Sequence, residues 1–237
     1  MFLLDLTLPT PAENLACDEA LLDIAEEGGD TEVLRFWESP TYFIVLGSSN
    51  HAAREVQLDL CERDGVPVLR RRSGGGAVLQ GPGCLSYCLV LRMDSEGSTI
   101  AETNAFVLQR HAEMLSSLLG KPVRREGLTD LAVGGVKVSG NSQRRRLRYL
   151  MFHGTFLLGF DLGMISRYLL SPSKEPAYRR NRTHEEFLTK IPLPPERIKD
   201  AMKSAWNAGE NLSSIPMEKV RELVRSRYGV TEWNLKL

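Results

Sequence analysis

The sequence predicts an α/β (α+β) fold, a mixed, largely antiparallel sheet flanked by helices. Three observations carry that prediction. Leu85, Tyr87, Leu89, Leu91 and Met93 alternate with Ser86, Cys88, Val90 and Arg92, the period of a strand. Gly134-Gly135 stands between two apolar-alternating segments, which marks a two-residue hairpin joining antiparallel strands. Thr10-Pro11-Ala12-Glu13 and Thr99-Ile100-Ala101-Glu102 are capping boxes that open helices among those strands. Hairpin-linked strands interleaved with helices favour this arrangement over a doubly wound parallel sheet, whose strands need long crossovers.

The elements follow in order. After the first capping box, with Pro11 at the first helical position, Cys17, Leu21 and Ile24 keep helical spacing until Gly28-Gly29 stops the helix. Residues 35–46 are aromatic and β-branched and read as a strand pair bent at Pro40, ending at Gly47. A short helix through Val56 and Leu60 ends at Gly65, and residues 66–71 form a strand running into the Ser73-Gly74-Gly75-Gly76 loop. The alternation over 85–93 predicts a half-buried strand. Val107, His111, Met114 and Leu118 make one stripe of a long helix that stops at Gly120. Strands follow near 123–126, 130–133, 136–139 and 147–158. Charge and proline over 171–195 predict a long surface loop with one short helix. Ile198, Met202 and Ala205, then Met217, Val220 and Val224, mark closing helices. No repeat or linker divides residues 1–237, so a single domain is expected.

Composition narrows the function classes. The 237 residues include 30 basic and 30 acidic side chains, 42% hydrophobic and 25% charged residues, which excludes disordered, collagenous and mucin-like chains. A net charge of zero argues against a whole-molecule grip on nucleic acid or on an anionic membrane. The amino terminus lacks a basic leader region, Asp5 interrupts its apolar stretch, and no uncharged apolar run is long enough to span a bilayer. A soluble, cytoplasmic protein is expected, with neither nucleic acid nor membrane as partner. Cys17, Cys61, Cys84 and Cys88 form no CxxC pair, and on one strand Cys84 and Cys88 would lie roughly 13 Å apart, too far for a disulfide. Reduced thiols are expected.

Three constellations could carry chemistry. In Arg70-Arg71-Arg72-Ser73-Gly74-Gly75-Gly76-Ala77-Val78 the glycines leave backbone amides open to close approach by an anion, with arginines beside them. The same stretch also reads as a flexible hairpin with a solvated flank. Second, a turn at Gly134-Gly135 pairs Val133 with Val136, Ala132 with Lys137, Leu131 with Val138 and Asp130 with Ser139. Lys137 then leaves the sheet on the non-core face beside Asp130, Ala132 and Ser139, either as an ordinary solvent-facing lysine or as a working cation. Third, Tyr149, Met151, His153 and Thr155 share one strand face. Arginines gather at 70–72, 144–148 and 179–182, so a neutral sum conceals local positive charge.

RRRSGGGAV, GLTDLAVGGVKVSGNSQR and FHGTFLL, in this order and at these separations, resemble the lipoate–protein ligase family, a relative of the biotin–protein ligases and octanoyltransferases. The likeness runs from Asn14 through Val45-Leu46-Gly47 to about Leu158. It implies the architecture of class II aminoacyl-tRNA synthetases and biotin ligases, a single catalytic domain over 1–237. It implies that ATP converts the carboxylate of lipoic acid to an acyl-adenylate, whose acyl group passes to a lysine of an apo lipoyl domain of a 2-oxoacid dehydrogenase or of the glycine-cleavage H protein. By that resemblance Lys137 is the catalytic cation at the acyl carbonyl and α-phosphate. Arg72, Ser73, Gly74, Gly75, Gly76, Ala77 and Val78 cradle the acyl-phosphate end. Thr129 and Asp130 lie near ribose, phosphate or Mg²⁺, with Asp130 as its ligand. Ser139, Gly140, Asn141, Ser142 and Gln143 open the adenylate loop, and His153, Gly154 and Thr155 line its floor. Leu46 and Val78 flank the acyl tail.

Two departures from the family pattern keep a second reading open. Gln80-Gly81-Pro82-Gly83-Cys84 resembles the octanoyltransferases, which take an acyl chain from acyl carrier protein as a cysteine thioester. Only Cys84 or Cys88 stands where such a nucleophile is conceivable. The chain also stops soon after Tyr228-Gly229, so no carboxy-terminal accessory domain is expected, and a separate subunit would supply one or the enzyme would work without it.

Overall fold

A computed structural model describes residues 1–29, 31–93 and 99–237. Strand β1 (Phe2–Asp5) leads into helix α1 (Pro11–Ile24). The Thr10 hydroxyl accepts from the Glu13 amide while the Glu13 carboxylate accepts from the Thr10 amide, as the capping box requires. Strands β2 (Val33–Trp37) and β3 (Phe43–Leu46), short helices α2 (Ala52–Glu55) and α3 (Leu58–Asp64), and strands β4 (Val68–Arg70), β5 (Val78–Gln80) and β6 (Cys84–Arg92) follow. Helix α4 (Ile100–Leu119) carries the second capping box. Then come β7 (Val123–Glu126), β8 (Asp130–Val133), β9 (Val136–Arg145) and β10 (Tyr149–Leu157). Helices α5 (Gly163–Tyr168), α6 (His184–Phe187) and α7 (Pro195–Trp206), strand β11 (Glu210–Asn211), and helices α8 (Met217–Leu223) and α9 (Thr231–Asn234) complete the chain.

Eight strands form one sheet in the order β11-β1-β2-β6-β10-β9-β8-β7. Its β11–β1 and β1–β2 pairs are parallel and the rest antiparallel, the mixed sheet the sequence predicts. A smaller sheet has the order β4-β3-β5. The segment 35–46 does hold two strands, but they are not a pair: beyond Pro40 the chain leaves the large sheet, and β3 pairs with β4 and β5 instead.

The alternation on β6 also has a different meaning from the one expected. Both faces of the strand are buried, because helices cover both sides of the sheet's centre. Leu85, Tyr87 and Leu89 pack with Phe152 and Phe156 against Val107, Leu108 and Leu115 of α4 and Ile198 and Met202 of α7. Cys88 and Val90, with Tyr149 and Met151, pack against α1 and against Val220 and Leu223 of α8. The second face is thus covered over β2, β6 and part of β10. Further along, His153, Gly154 and Thr155 are only half-buried.

Under α1 the second core contains a charge pair. The Arg35 guanidinium, fully buried, donates to the Asp18 carboxylate, to Asn14 through its backbone and side-chain oxygens, and to the Leu6 carbonyl. The Trp37 indole donates to the other Asp18 oxygen at 3.2 Å. These bonds fix α1 to β2. Asp18→Ala leaves the guanidinium buried without its counter-charge, and urea denaturation should give a loss of about 3–5 kcal/mol, against less than ~1 kcal/mol for removing a rim pair such as Lys203–Asp200.

Candidate active site

Two buried arginines anchor the glycine loop and the chain around it, Arg71 the loop itself. The Arg70 guanidinium, fully buried, donates to the carbonyls of Gly47, Asn50 and Asn234 at 2.8–3.1 Å. That of Arg71 donates to the carbonyls of Val45, Gly74 and Gly76, at 3.2, 2.6 and 2.9 Å, and to Ser73 Oγ. Burial pulls Arg71 down to about 10, which still leaves it charged at neutral pH. The Ser48 amide takes the Ser73 carbonyl, and Ser142 Oγ donates to the Gly74 carbonyl at 3.0 Å. The carbonyls of Ser73, Gly74 and Gly76 are therefore engaged, whereas the amides of Gly74, Gly75 and Gly76 donate to no acceptor among the described residues. Such a geometry can receive an anion. Of the three arginines expected beside it, only Arg72 is accessible; it lies 3.6 Å from Glu19 and stacks over the Trp233 ring at 5.5 Å.

Ser73 joins this loop to the sheet. Its hydroxyl meets His153 Nε2 at 2.6 Å. Burial, and secondarily the Arg71 charge, pull the imidazole down to about 3, so His153 is neutral throughout the ordinary pH range. His153 pairs with Ser142 across β10 and β9, and the two side chains share the half-open face.

The Gly134-Gly135 hairpin forms with Val133 opposite Val136 and Ala132 opposite Lys137, as the sequence predicts. A β-bulge then shifts the register, so Leu131 pairs with Ser139 and Asp130 with Gly140. Two expected pairs are thereby corrected, and the sides change with them. Val138 and Ser139 both turn into the core, at 1% exposure each, whereas Gly140 joins Lys137 and Asp130 on the open face. The Lys137 ammonium lies over Gly140, where a Cβ would stand 2.9 Å from Nζ. It pairs with Asp130 Oδ1 at 2.8 Å, and Tyr178 donates to Asp130 Oδ2 at 2.7 Å. The segment carrying Tyr178 closes over the hairpin: the Thr189 amide takes the Lys137 carbonyl, and Arg182 donates to the Gly135 carbonyl.

The fold thus brings Lys137, Asp130, Gly140, Ser142, His153 and Thr155 to one sheet face, with Ser73–Gly76 lying across it. Ala77 and Val78 are half-buried where the loop enters β5; Leu46 is wholly buried. Thr129 presents its carbonyl to the Asn141 side chain. Three expected site residues point the other way. Asn141 bonds Tyr87 on the α4 face, Ser139 bonds Asn141, and Gln143 bonds Ile100 and Asn104 of α4. The predicted adenylate loop is in fact strand, since β9 runs on to Arg145, and strand alternation sends every second side chain away from the site. Gly154 makes room for Asn141. Of the second arginine cluster, Arg146 pairs with Asp23 and Arg148 with Glu26. Tyr178 and Tyr87 were missed, and Arg71, expected as a donor to an anion, anchors the loop's carbonyls instead. Arg71 alone carried a signal, as the middle residue of an arginine run entering a glycine loop.

All four cysteines are free and buried. Desolvation pushes the thiols up, Cys17 and Cys61 to about 11 and Cys84 to about 12, with Cys88 also driven upward.

A mixed sheet bearing a cation on an open hairpin, beside a glycine loop with unshared amides, is an arrangement that can accommodate an anionic group. Residues 10–202 match the lipoyl protein ligase A/B catalytic domain, and the chain belongs to that family of ligases and transferases. Octanoyltransferase LipM of Carboxydothermus hydrogenoformans is 30% identical, over 94% of this chain and 93% of its own. A crystal structure of lipoate-protein ligase A bound with ATP superposes with a TM-score of 0.81 at 26% identity, covering 99% of this chain and 98% of that one. The fold is shared as well by a bi-partite lipoate protein ligase of Thermoplasma acidophilum, analysed with its E2 lipoyl domain, at a TM-score of 0.83 and 23% identity over 99% of this chain and 95% of that one. No helix among the described residues is long and apolar enough to cross a membrane.

The histidines give the site a pH signature. His153 and His111 are both pulled to about 3, below the usual 6.5, so from pH 6.5 downward the unfolded chain binds protons that the native one refuses. Their contribution is complete above pH 6.5 and is lost as pH falls. Thermal unfolding followed from pH 7 to 4.5 should show falling stability, and His153→Gln should flatten the slope by up to ~1.4 kcal/mol per pH unit.

Proposed function

We propose that this chain is an ATP-dependent lipoate–protein ligase, which activates lipoate or octanoate as an acyl-adenylate and transfers the acyl group to a lysine of an apo lipoyl domain or glycine-cleavage H protein. The carrying observation is a contrast: Lys137 holds its ammonium on the open face, while every thiol is buried and driven toward its neutral form. A thioester mechanism needs an accessible thiolate. Adenylation needs none.

In the first step a carboxylate oxygen attacks the α-phosphorus and the bond to pyrophosphate breaks. Lys137 and the free amides of Gly74–Gly76 are suited to the negative charge that gathers there. In the second step the acceptor's neutral ε-amine attacks the acyl carbon, AMP leaves with the bonding pair, and the amine sheds a proton. The two oxygens of Asp130 hold Lys137 and Tyr178 in the free enzyme, so Asp130 fixes the ammonium over Gly140 on the open face. Mg²⁺ commonly retains several waters and reaches such sites on phosphates, where it neutralises their charge. Asp130 is the residue proposed to meet it. By likeness to the bi-partite ligase, a separate accessory subunit is part of this proposal.

The transferase reading rests on the LipM relatives and on Gly81-Pro82-Gly83. Packing accounts for that motif independently. Gly83 has φ +79, and a Cβ there would stand 2.3 Å from the Gly159 carbonyl carbon. Purified chain, assayed alone and with any accessory subunit, should release AMP from lipoate and ATP. Lys137→Ala should cut that rate about 10²–10³-fold, while Cys84→Ser and Cys88→Ser keep it. ATP-free transfer from octanoyl acyl carrier protein, abolished by one cysteine change, would sink the proposal.

A further inference from the structure

Behind the open face, a polar bridge crosses four strands. Tyr87 of β6 is 1% exposed, its ring stacked on Phe156 at 5.2 Å and edge-on to His111 at 5.1 Å. Burial drives its phenol far above the usual range, so the hydroxyl is a proton donor. It meets Asn141 Oδ1 of β9 at 2.6 Å. The Asn141 side chain reaches it only because β10 has Gly154 between them: a Cβ there would stand 1.9 Å from Oδ1. At its other end Asn141 Nδ2 donates to the Thr129 carbonyl at 2.7 Å, just ahead of β8. A flipped amide would set oxygen against oxygen at Thr129, so the orientation is fixed.

The place of this bridge in the ladder gives it a consequence. Backbone pairing of β8 with β9 ends at Asp130 opposite Gly140, and Asn141 extends it by one residue through its side chain. The Thr129 carbonyl belongs to the peptide bond that leads into Asp130, whose carboxylate on the opposite face meets Lys137 Nζ at 2.8 Å. We infer that Tyr87 and Asn141 are positioning residues, which act from the covered face through the Thr129–Asp130 peptide to aim Lys137. The inference rests on the catalytic role proposed for Lys137.

Tyr87→Phe removes the donor, and Asn141→Asp keeps an acceptor for Tyr87 but cannot donate to Thr129. Both should lower kcat for AMP formation about tenfold, with KM for ATP and lipoate changed less than twofold. Amide hydrogen exchange over residues 127–140 should quicken about tenfold while that of α4 is unchanged. Val107→Ala, in the same buried cluster, should lower the melting temperature comparably and leave kcat intact. Unchanged exchange at 127–140, or a kcat loss no greater than in Val107→Ala, would overturn the inference. A wild-type chain that forms no AMP overturns the ligase reading instead, and the exchange measurement then decides the bridge alone.

Discussion

The Arg71 guanidinium lies buried among the carbonyl oxygens of Val45, Gly74 and Gly76, and the site depends on that contact. Three consecutive glycines have no side chains with which to anchor themselves, and free loop entropy would scatter their amides. Arg71 binds the Gly74 and Gly76 carbonyls from one side and Ser142 holds that of Gly74 from the other, so the amides are left unshared among the described residues. Burial, with the same charge second, keeps His153 neutral beside Ser73. A buried arginine thus shapes a loop whose amides an anion can approach.

The sheet supplies the second half of the site. At β9 one face belongs to the core and the other to the ligand side, and a strict alternation would put Ser139 beside Lys137 and bury Gly140. The bulge after Lys137 inserts one residue, which sends Val138 and Ser139 together into the core and lets the ammonium rest over Gly140. That one-residue slip also carries Asn141 to the far face, within reach of Tyr87. A local irregularity therefore builds both the open lysine and the bridge behind it.

Much of this was legible in the sequence. Capping boxes at Thr10 and Thr99, the Gly134-Gly135 turn and the alternation of β6 each state a local rule that the chain obeys. Less legible was anything set by distant partners. Alternation on β6 looks the same whether its second face meets water or another helix, so the strand read as half-buried. The bulge leaves no mark in a run of valine, serine and glycine, and the register beyond Lys137 was misjudged with it. Arginines at 70–72 and 144–148 read as local positive charge, yet Arg70 and Arg71 hold backbone and Arg146 and Arg148 hold the end of α1 and the turn after it. Composition counts charges; only the fold shows which are already matched.

The reactive centre proposed for this chain is a lysine and a set of amides rather than a thiol. The most direct test is the intact mass of an apo lipoyl domain after incubation with the chain, alone and with any accessory subunit, and each acyl donor in turn. Lipoate with Mg·ATP should add one lipoyl group per acceptor, and octanoyl acyl carrier protein without ATP should add nothing. Acceptor modified by the carrier protein alone, and unmodified by lipoate with ATP, would contradict the account.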